Sequence, residues 1–200
     1  FGGHRIEGIG DKHVPWIHNV KNMDMVIDID DNDCIEVMRL FNEDEGKKYL
    51  ENNGLNSKFV ETLKTAGISG IANVLSAIKM AKYYELNENK VIFTILTDSM
   101  DLYGSRLKEE NDKQGKFTHD NAVISFHKSI MGANTADMLE LDYNAKKRIH
   151  NLKYFTWIEQ QGKELSELNA QWYDDEYWSK TAAQGSEIDK LIIEFNKDIN

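Results

Sequence analysis

The sequence predicts an α/β chain, with a partial parallel sheet flanked by helices over residues 1–108 and a mainly helical, aromatic-rich extension over residues 109–200. Three observations predict it. Short β-branched or apolar runs alternate with segments of helical spacing, in the order strand, helix, helix, strand. The run Val91-Ile92-Phe93-Thr94-Ile95-Leu96 is almost continuously apolar, which suits a strand buried on both faces of a parallel sheet. After residue 108 the texture changes to a charged stretch and then to helical patterns without a further strand run.

The elements follow in order. Met25-Val26-Ile27-Asp28-Ile29 is a β-branched run and predicts a short strand. Asp30, with Asp33 three residues on, predicts a capped helix start, and Ile35, Met38 and Phe41 continue it at helical spacing. Residues 43–56 are polar, with Asn52-Asn53-Gly54 as a turn, and Phe59, Val60 and Leu63 predict another short helix. Ala66-Gly67-Ile68-Ser69-Gly70 opens a long helix whose apolar stripe is Ile71, Val74, Leu75 and Ile78. Residues 109–116 read as a solvated hinge. Trp157, Leu165, Leu168, Trp172, Tyr173, Tyr177 and Trp178 read as a packing surface rather than a ligand cage, because burial is the commoner use of aromatic rings. Ser186 and Asp189 predict a final cap, followed by the stripe Ile188, Leu191, Ile192, Phe195 and Ile199.

Composition bounds the function. Hydrophobic residues at 40% support a packed core, and a net charge of −10 disfavours nucleic acid or an anionic membrane as partner. No run approaches the roughly 18 apolar residues of a membrane helix. The single cysteine, Cys34, permits no internal disulfide and predicts a reducing, cytoplasmic setting. Phe1-Gly2-Gly3-His4 carries neither an initiator Met nor a signal-peptide pattern, so the chain is expected to be a fragment or a processed product.

The chemistry-bearing residues are few. Asp28, Asp30, Asn32 and Asp33 resemble the start of a calcium loop, but the sixth position is Asp33 rather than Gly and the twelfth is Arg39 rather than Glu. A strand end plus a helix cap explains them better. Neither His13 with His18 nor His119 with His127 has ligand spacing on a helix, so no metal site is assigned. Cys34 falls within an amphipathic helix and reads as core. Gly8-Ile9-Gly10 lacks the third glycine of a dinucleotide fingerprint, yet paired glycines let a backbone approach a ligand closely. Gly67-Ile68-Ser69-Gly70 precedes a helix whose free N–H groups favour an anion. Leu96-Thr97-Asp98-Ser99 follows the predicted buried strand, where open sheets place ligands. Taken singly, each of these last two also reads as an ordinary helix start or turn.

Taken in order, the segments resemble a known family. His4-Arg5-Ile6-Glu7-Gly8-Ile9-Gly10, Val14-Pro15-Trp16-Ile17 and Asp24-Met25-Val26-Ile27 resemble a stretch of the cysteine synthase and cystathionine β-synthase family, fold-type II enzymes that use pyridoxal 5′-phosphate (PLP). Gly67-Ile68-Ser69-Gly70 is similar to that family's Gly-Ile-Ser turn, and residues 91–99 to its strand ending in Asp-Ser. The likeness covers residues 4–107. Thr97 stands where proline is common in the family, and residues 108–200 match neither its short C-terminus nor its regulatory modules.

The resemblance implies that residues 1–108 form the C-terminal part of the large PLP domain. It also implies β-replacement or β-elimination on a small amino acid. Ser99 would face the pyridine nitrogen, Gly8, Ile9 and Gly10 would line the substrate side, and Gly67, Ile68 and Ser69 would lie beside the ring-binding end. The Schiff-base lysine and the phosphate cup would lie outside this chain, so no catalytic residue is assigned and the chain alone is expected to be inactive. The alternative is a non-catalytic binding or oligomerisation module with the same fold. A homo-oligomer is expected in either case.

Overall fold

A computed structural model describes residues 3–199, and side chains as far as residue 197; Phe1, Gly2 and the Ile199 side chain, named above, lie outside the described residues. The expected parallel sheet is corrected by the structure. The architecture is mainly helical, and the sheet found among the described residues is a single pair of three-residue strands, β1 (Met25–Ile27) and β2 (Met138–Glu140). Asp28 N–H donates to Asp137 O at 3.0 Å and Leu141 N–H to Asp24 O at 2.9 Å. One residue number rises as the other falls, so the strands run antiparallel.

The correction has a physical reason. A strand exists through hydrogen bonds to a neighbour. None of the backbone N–H groups of residues 91–96 finds a backbone partner among the described residues. Val91 is 92% exposed and Phe93 87%. The composition of a buried strand is there without a second strand to complete it. The first predicted strand does form, as β1, and its neighbour β2 carried no apolar run long enough to read from the sequence.

The chain divides into two compact units, residues 1–11 with 27–139, and residues 12–26 with 140–200. In the first, Asp30 caps α1 (Asp31–Asn42) by accepting from Asn32 N–H, as its sequence position predicts. Ile35 and Met38 are fully buried and Phe41 nearly so, on the face where Cys34 also sits. The polar stretch that follows holds a helix after all, α2 (Asp44–Asn52), which buries only Gly46, Tyr49 and Leu50 and so left little periodic signal. The turn at Gly54 has φ +95°, a backbone suited to glycine. Beyond it, α3 (Ser57–Thr62) buries Val60, and α4 (Ile68–Tyr83) buries Ile71 and Leu75 from its predicted stripe.

The expected hinge at residues 109–116 is largely helix, within α5 (Gly104–Gln114). Glu110 in its middle is fully buried, accepting from Arg5 Nη1 at 3.1 Å and Gln114 Nε2 at 2.7 Å. A run of charges reads as solvated only when its partners are near in sequence, and Arg5 is not. Thr118 and Asn121 then form a reciprocal capping box on α6 (His119–Ser125), which continues into a π-helical turn (Phe126–Met131).

The second unit is helical: α7 (Tyr143–Asn151), a π-helical turn (Tyr154–Gln160), α8 (Leu165–Tyr173), α9 (Tyr177–Ala183) and α10 (Gly185–Ile199). The predicted packing surface is buried only in part: Leu168 and Trp172 are buried, whereas Leu165 and Tyr173 are exposed. Trp172 is buried, Trp157 Nε1 donates to Val14 O at 2.8 Å, and Trp178 Nε1 donates to Gln171 O at 2.9 Å. The final helix starts at Gly185, so Ser186 lies inside it rather than at its cap, and its apolar stripe is exposed along Ile188, Leu191, Ile192 and Phe195. No helix among the described residues is long and apolar enough to cross a membrane.

Candidate functional site

The start of α4 and the end of the unpaired run meet directly. Gly67 N–H donates to Asp98 O at 3.0 Å, and the Ser69 and Thr97 hydroxyls are hydrogen-bonded at 3.0 Å. Gly67 carries no side chain to cap the helix, and the amides of Ile68, Ser69 and Gly70 have no backbone partner among the described residues. Such first-turn donors favour an acceptor or an anion.

Asp98 is the hinge of this arrangement. Its Oδ2 accepts from the Tyr103 hydroxyl at 2.5 Å, while Oδ1 is buried without a hydrogen-bond partner. Burial, and then the Asp98 carboxylate, push the Tyr103 phenol up to about 12, so it stays a donor at physiological pH. A Cβ on Gly67 would lie 2.0 Å from Asp98 Oδ1. The Gly67 φ of −67° suits any residue, so the requirement for glycine here is steric. Gly67→Ala is therefore expected to displace Asp98 and cost about 1–3 kcal/mol by overpacking. Urea denaturation checks this, and a variant as stable as the parent would show that Asp98 moves freely.

Ser99 lies one residue on, half-buried at the start of the 3-10 turn Met100–Leu102. Its hydroxyl donates to Asp101 Oδ2 at 3.0 Å and accepts from Asp101 N–H at 3.4 Å. The donated hydrogen is held by one exposed carboxylate and is free to be exchanged by rotation of the side chain.

The Gly8-Ile9-Gly10 loop reaches this region through its neighbours. Glu7 is ion-paired with Arg106, whose guanidinium it holds above its ordinary value by a hydrogen bond. Arg5 N–H and Nε both donate to Asp31 Oδ2, at 2.9 and 3.2 Å, and that hydrogen bonding holds the Asp31 carboxyl below the usual range. Gly8 and Gly10 have φ of +86° and +74°, which makes glycine the fitting residue at both. Ile9 and Gly10 line a cleft of about 490 Å³ with His4, Asp28, Asn73 and Ser76. Gly67, Ile68, Ser69 and Ser99 do not line it, and the Ile68 side chain is wholly buried in the core.

Sequence reasoning singled out Gly67, Ser69 and Ser99 but not Glu7, Tyr103 or Arg106, which tie the segments together. Glu7 and Arg106 are 99 positions apart, and opposite charges at that separation leave no local pattern.

Comparison of the chain with protein-family models, with curated proteins and with solved structures found no match.

The resemblance implies PLP as the cofactor. The donor set at Ser99 and the first turn of α4 fits the ring-nitrogen end of that group: one neutral hydroxyl with an exchangeable hydrogen, beside unpaired helix amides. Gly8 has nothing within 4 Å of where a Cβ would stand, so its backbone is open to a flat ring. Ile68 offers only its backbone.

Proposed function

We propose that this chain contributes the ring-nitrogen and substrate sides of a PLP site in an enzyme catalysing β-replacement or β-elimination on a small amino acid. The Schiff-base lysine and phosphate cup come from residues outside the chain. One observation supports this most: three segments that resemble one family in order, around residues 4–10, 67–70 and 96–99, are linked by Glu7 to Arg106, Tyr103 to Asp98, and Gly67 to Asp98.

When bound, PLP supplies an electron sink for charge developing at the substrate α-carbon. The chain's own residues have positional roles. The Ser99 hydroxyl, which in the structure donates to Asp101, would turn to hold the ring nitrogen by one neutral hydrogen bond, and a neutral donor there would suit loss of a β-substituent. The Gly8-Ile9-Gly10 backbone borders the substrate, and the cleft that Ile9 and Gly10 share with His4 and Asn73 admits it. A single buried cysteine, whose thiol burial raises to about 12, is inert as a nucleophile and suits a cytoplasmic setting.

The test has two arms. With this chain alone, added PLP is expected to leave no borohydride-reducible adduct after desalting. In a polypeptide that also carries the Schiff-base lysine, Ser99→Ala is expected to keep the fold and weaken PLP binding by about 0.5–1.5 kcal/mol, one neutral hydrogen bond. Ser99→Asp is expected to slow β-chemistry further, because a carboxylate favours a protonated ring. Cofactor fluorescence reads the affinity independently of turnover, and an unchanged affinity in Ser99→Ala sinks the proposal.

A further inference from the structure

The acidic run Asp28 to Asp33, which resembles the start of a calcium loop, does not gather as metal ligands among the described residues. Asp30 and Asp33 instead line a cavity of about 160 Å³ together with Lys79, Lys128, Ile29 and Leu75. Its walls are tied to one another. Lys79 Nζ donates to Asp28 O at 2.8 Å, which fixes the exit of β1 to α4. Lys82 Nζ donates to Met131 O at 2.6 Å and Ala133 O at 2.8 Å, which fixes the loop after the π-helical turn to the same helix. Ser129 is buried and its hydroxyl donates to Asp33 Oδ1 at 3.1 Å, which joins that turn to α1. The space is therefore held open by the fold of one unit.

The polar groups at the cavity keep unused capacity of both signs. An ammonium has three hydrogens, and Lys79 uses one, on Asp28 O; no carboxylate pairs with it among the described residues. Asp33 Oδ1 takes Lys128 Nζ at 2.9 Å as well as Ser129, and Asp30 Oδ1 takes Asn32 N–H and Nδ2. Oδ2 of each carboxylate accepts no hydrogen bond among the described residues. The two carboxylates and two ammonium groups balance, so the lining favours neither a lone cation nor a lone anion. A ligand carrying both charges matches it. We propose that this cavity binds a small α-amino acid as its zwitterion. The ligand carboxylate takes the two open hydrogens of Lys79, its ammonium donates to Oδ2 of Asp30 and Asp33, and its side chain lies on Ile29 and Leu75. About 150 Å³ is enough to hold a six-carbon ring, so an amino acid of about six to eight non-hydrogen atoms fits. Asp33, Lys79 and Lys128 do not line the cleft at Ile9 and Gly10, and the inference does not rest on the PLP reading.

Titration of the full chain with L-valine, followed by its amide chemical shifts, tests this. Saturable shifts are expected at Asp33, Lys79 and Ser129. L-Valinamide lacks the carboxylate and N-acetyl-L-valine lacks the ammonium. Each is expected to bind about tenfold more weakly or worse, because each leaves a charge-assisted hydrogen bond unmade. Lys79→Gln and Asp30→Asn remove one charge each and are expected to weaken L-valine to the same extent. Asn caps a helix as well as Asp does, so Asp30→Asn keeps α1, and circular dichroism checks that the fold is unchanged. An absence of saturation, or binding indifferent to both variants, overturns the proposal. So does L-valinamide or inorganic phosphate binding as tightly as L-valine, which would show a site for one charge only. Shifts confined to Ile9, Gly10 and Asn73 overturn it too, because they assign the ligand to the cleft of the PLP reading.

Discussion

Lys153→Met is expected to unfold the tryptophan-bearing unit at temperatures where the parent chain remains folded. Lys153 is wholly buried, and its ammonium donates to Trp16 O at 2.9 Å, His18 O at 2.7 Å and Gln171 Oε1 at 2.8 Å. Three acceptors take three hydrogens, an arrangement that a neutral amine with two hydrogens does not satisfy. Burial lowers the ammonium to about 8, so it is mostly charged at neutral pH. The Trp178 ring, 5.5 Å away, offers its face to the same charge.

Two effects oppose each other when methionine replaces it. The cost of burying a cation disappears, but two buried acceptors, Trp16 O and Gln171 Oε1, and the half-buried His18 O lose their donor. Each orphaned group costs about 1–3 kcal/mol, so the loss dominates at about 3 kcal/mol or more. For a unit of this size that lowers the melting temperature by about 10 °C or more. All four tryptophans, Trp16, Trp157, Trp172 and Trp178, lie in this unit, so intrinsic fluorescence reports it selectively. A fluorescence melt within about 2 °C of the parent, less than a 1 kcal/mol change produces, would show that water or Gln171 satisfies the carbonyls instead.

The same unit is expected to weaken on acidification through His150. The ring is buried, its Nε2 lies 3.1 Å from Leu168 O as a donor, and it packs against Trp172 with centroids 5.1 Å apart. Burial lowers its value to about 4; Lys153 and Lys147 add to the shift and the Leu168 carbonyl opposes it. The folded value lies below the unfolded one of 6.5. Between them the unfolded state holds more protons, so stability rises with pH across that window and is lost as pH falls from 6.5 towards 4. The full span is worth on the order of 3 kcal/mol. Fluorescence melts at pH 7 and pH 4.5 measure it. His150→Gln keeps a donor for Leu168 O and removes the titration, so its acid limb should be flatter. Parallel acid limbs in parent and variant would assign the loss to carboxylates elsewhere.

Lys153 and His150 show where sequence reasoning stops. Residues 143–160 hold three lysines and one histidine, and nothing local marks Lys153 rather than Lys146 or Lys147, or His150, as buried. Their partners, Trp16, His18, Leu168 and Gln171, are supplied from up to 137 positions away. Glu110 is the same case in the first unit. A charge is buried where distant acceptors or cations converge on it, and convergence has no period. The candidate site divides likewise. Gly67, Ser69 and Ser99 were legible from their turn chemistry, whereas Tyr103 and Arg106 became visible only through what they touch.

By itself the sequence determined whatever depends on neighbours within a turn or two. The Asp30 cap, the buried faces of α1 and α4, the turn at Gly54 and the buried state of Cys34 all follow from spacing and side-chain chemistry. Tertiary structure alone decided the rest: which charges lie inside, which segments meet at Asp98, and whether an apolar run becomes a strand. Residues 91–96 have the composition of a strand and β2 does not, yet β2 is paired and residues 91–96 are not. A helix closes its hydrogen bonds within its own residues, so its sequence suffices to announce it. A strand closes them on another segment, so its fate is set by which neighbour the fold brings alongside.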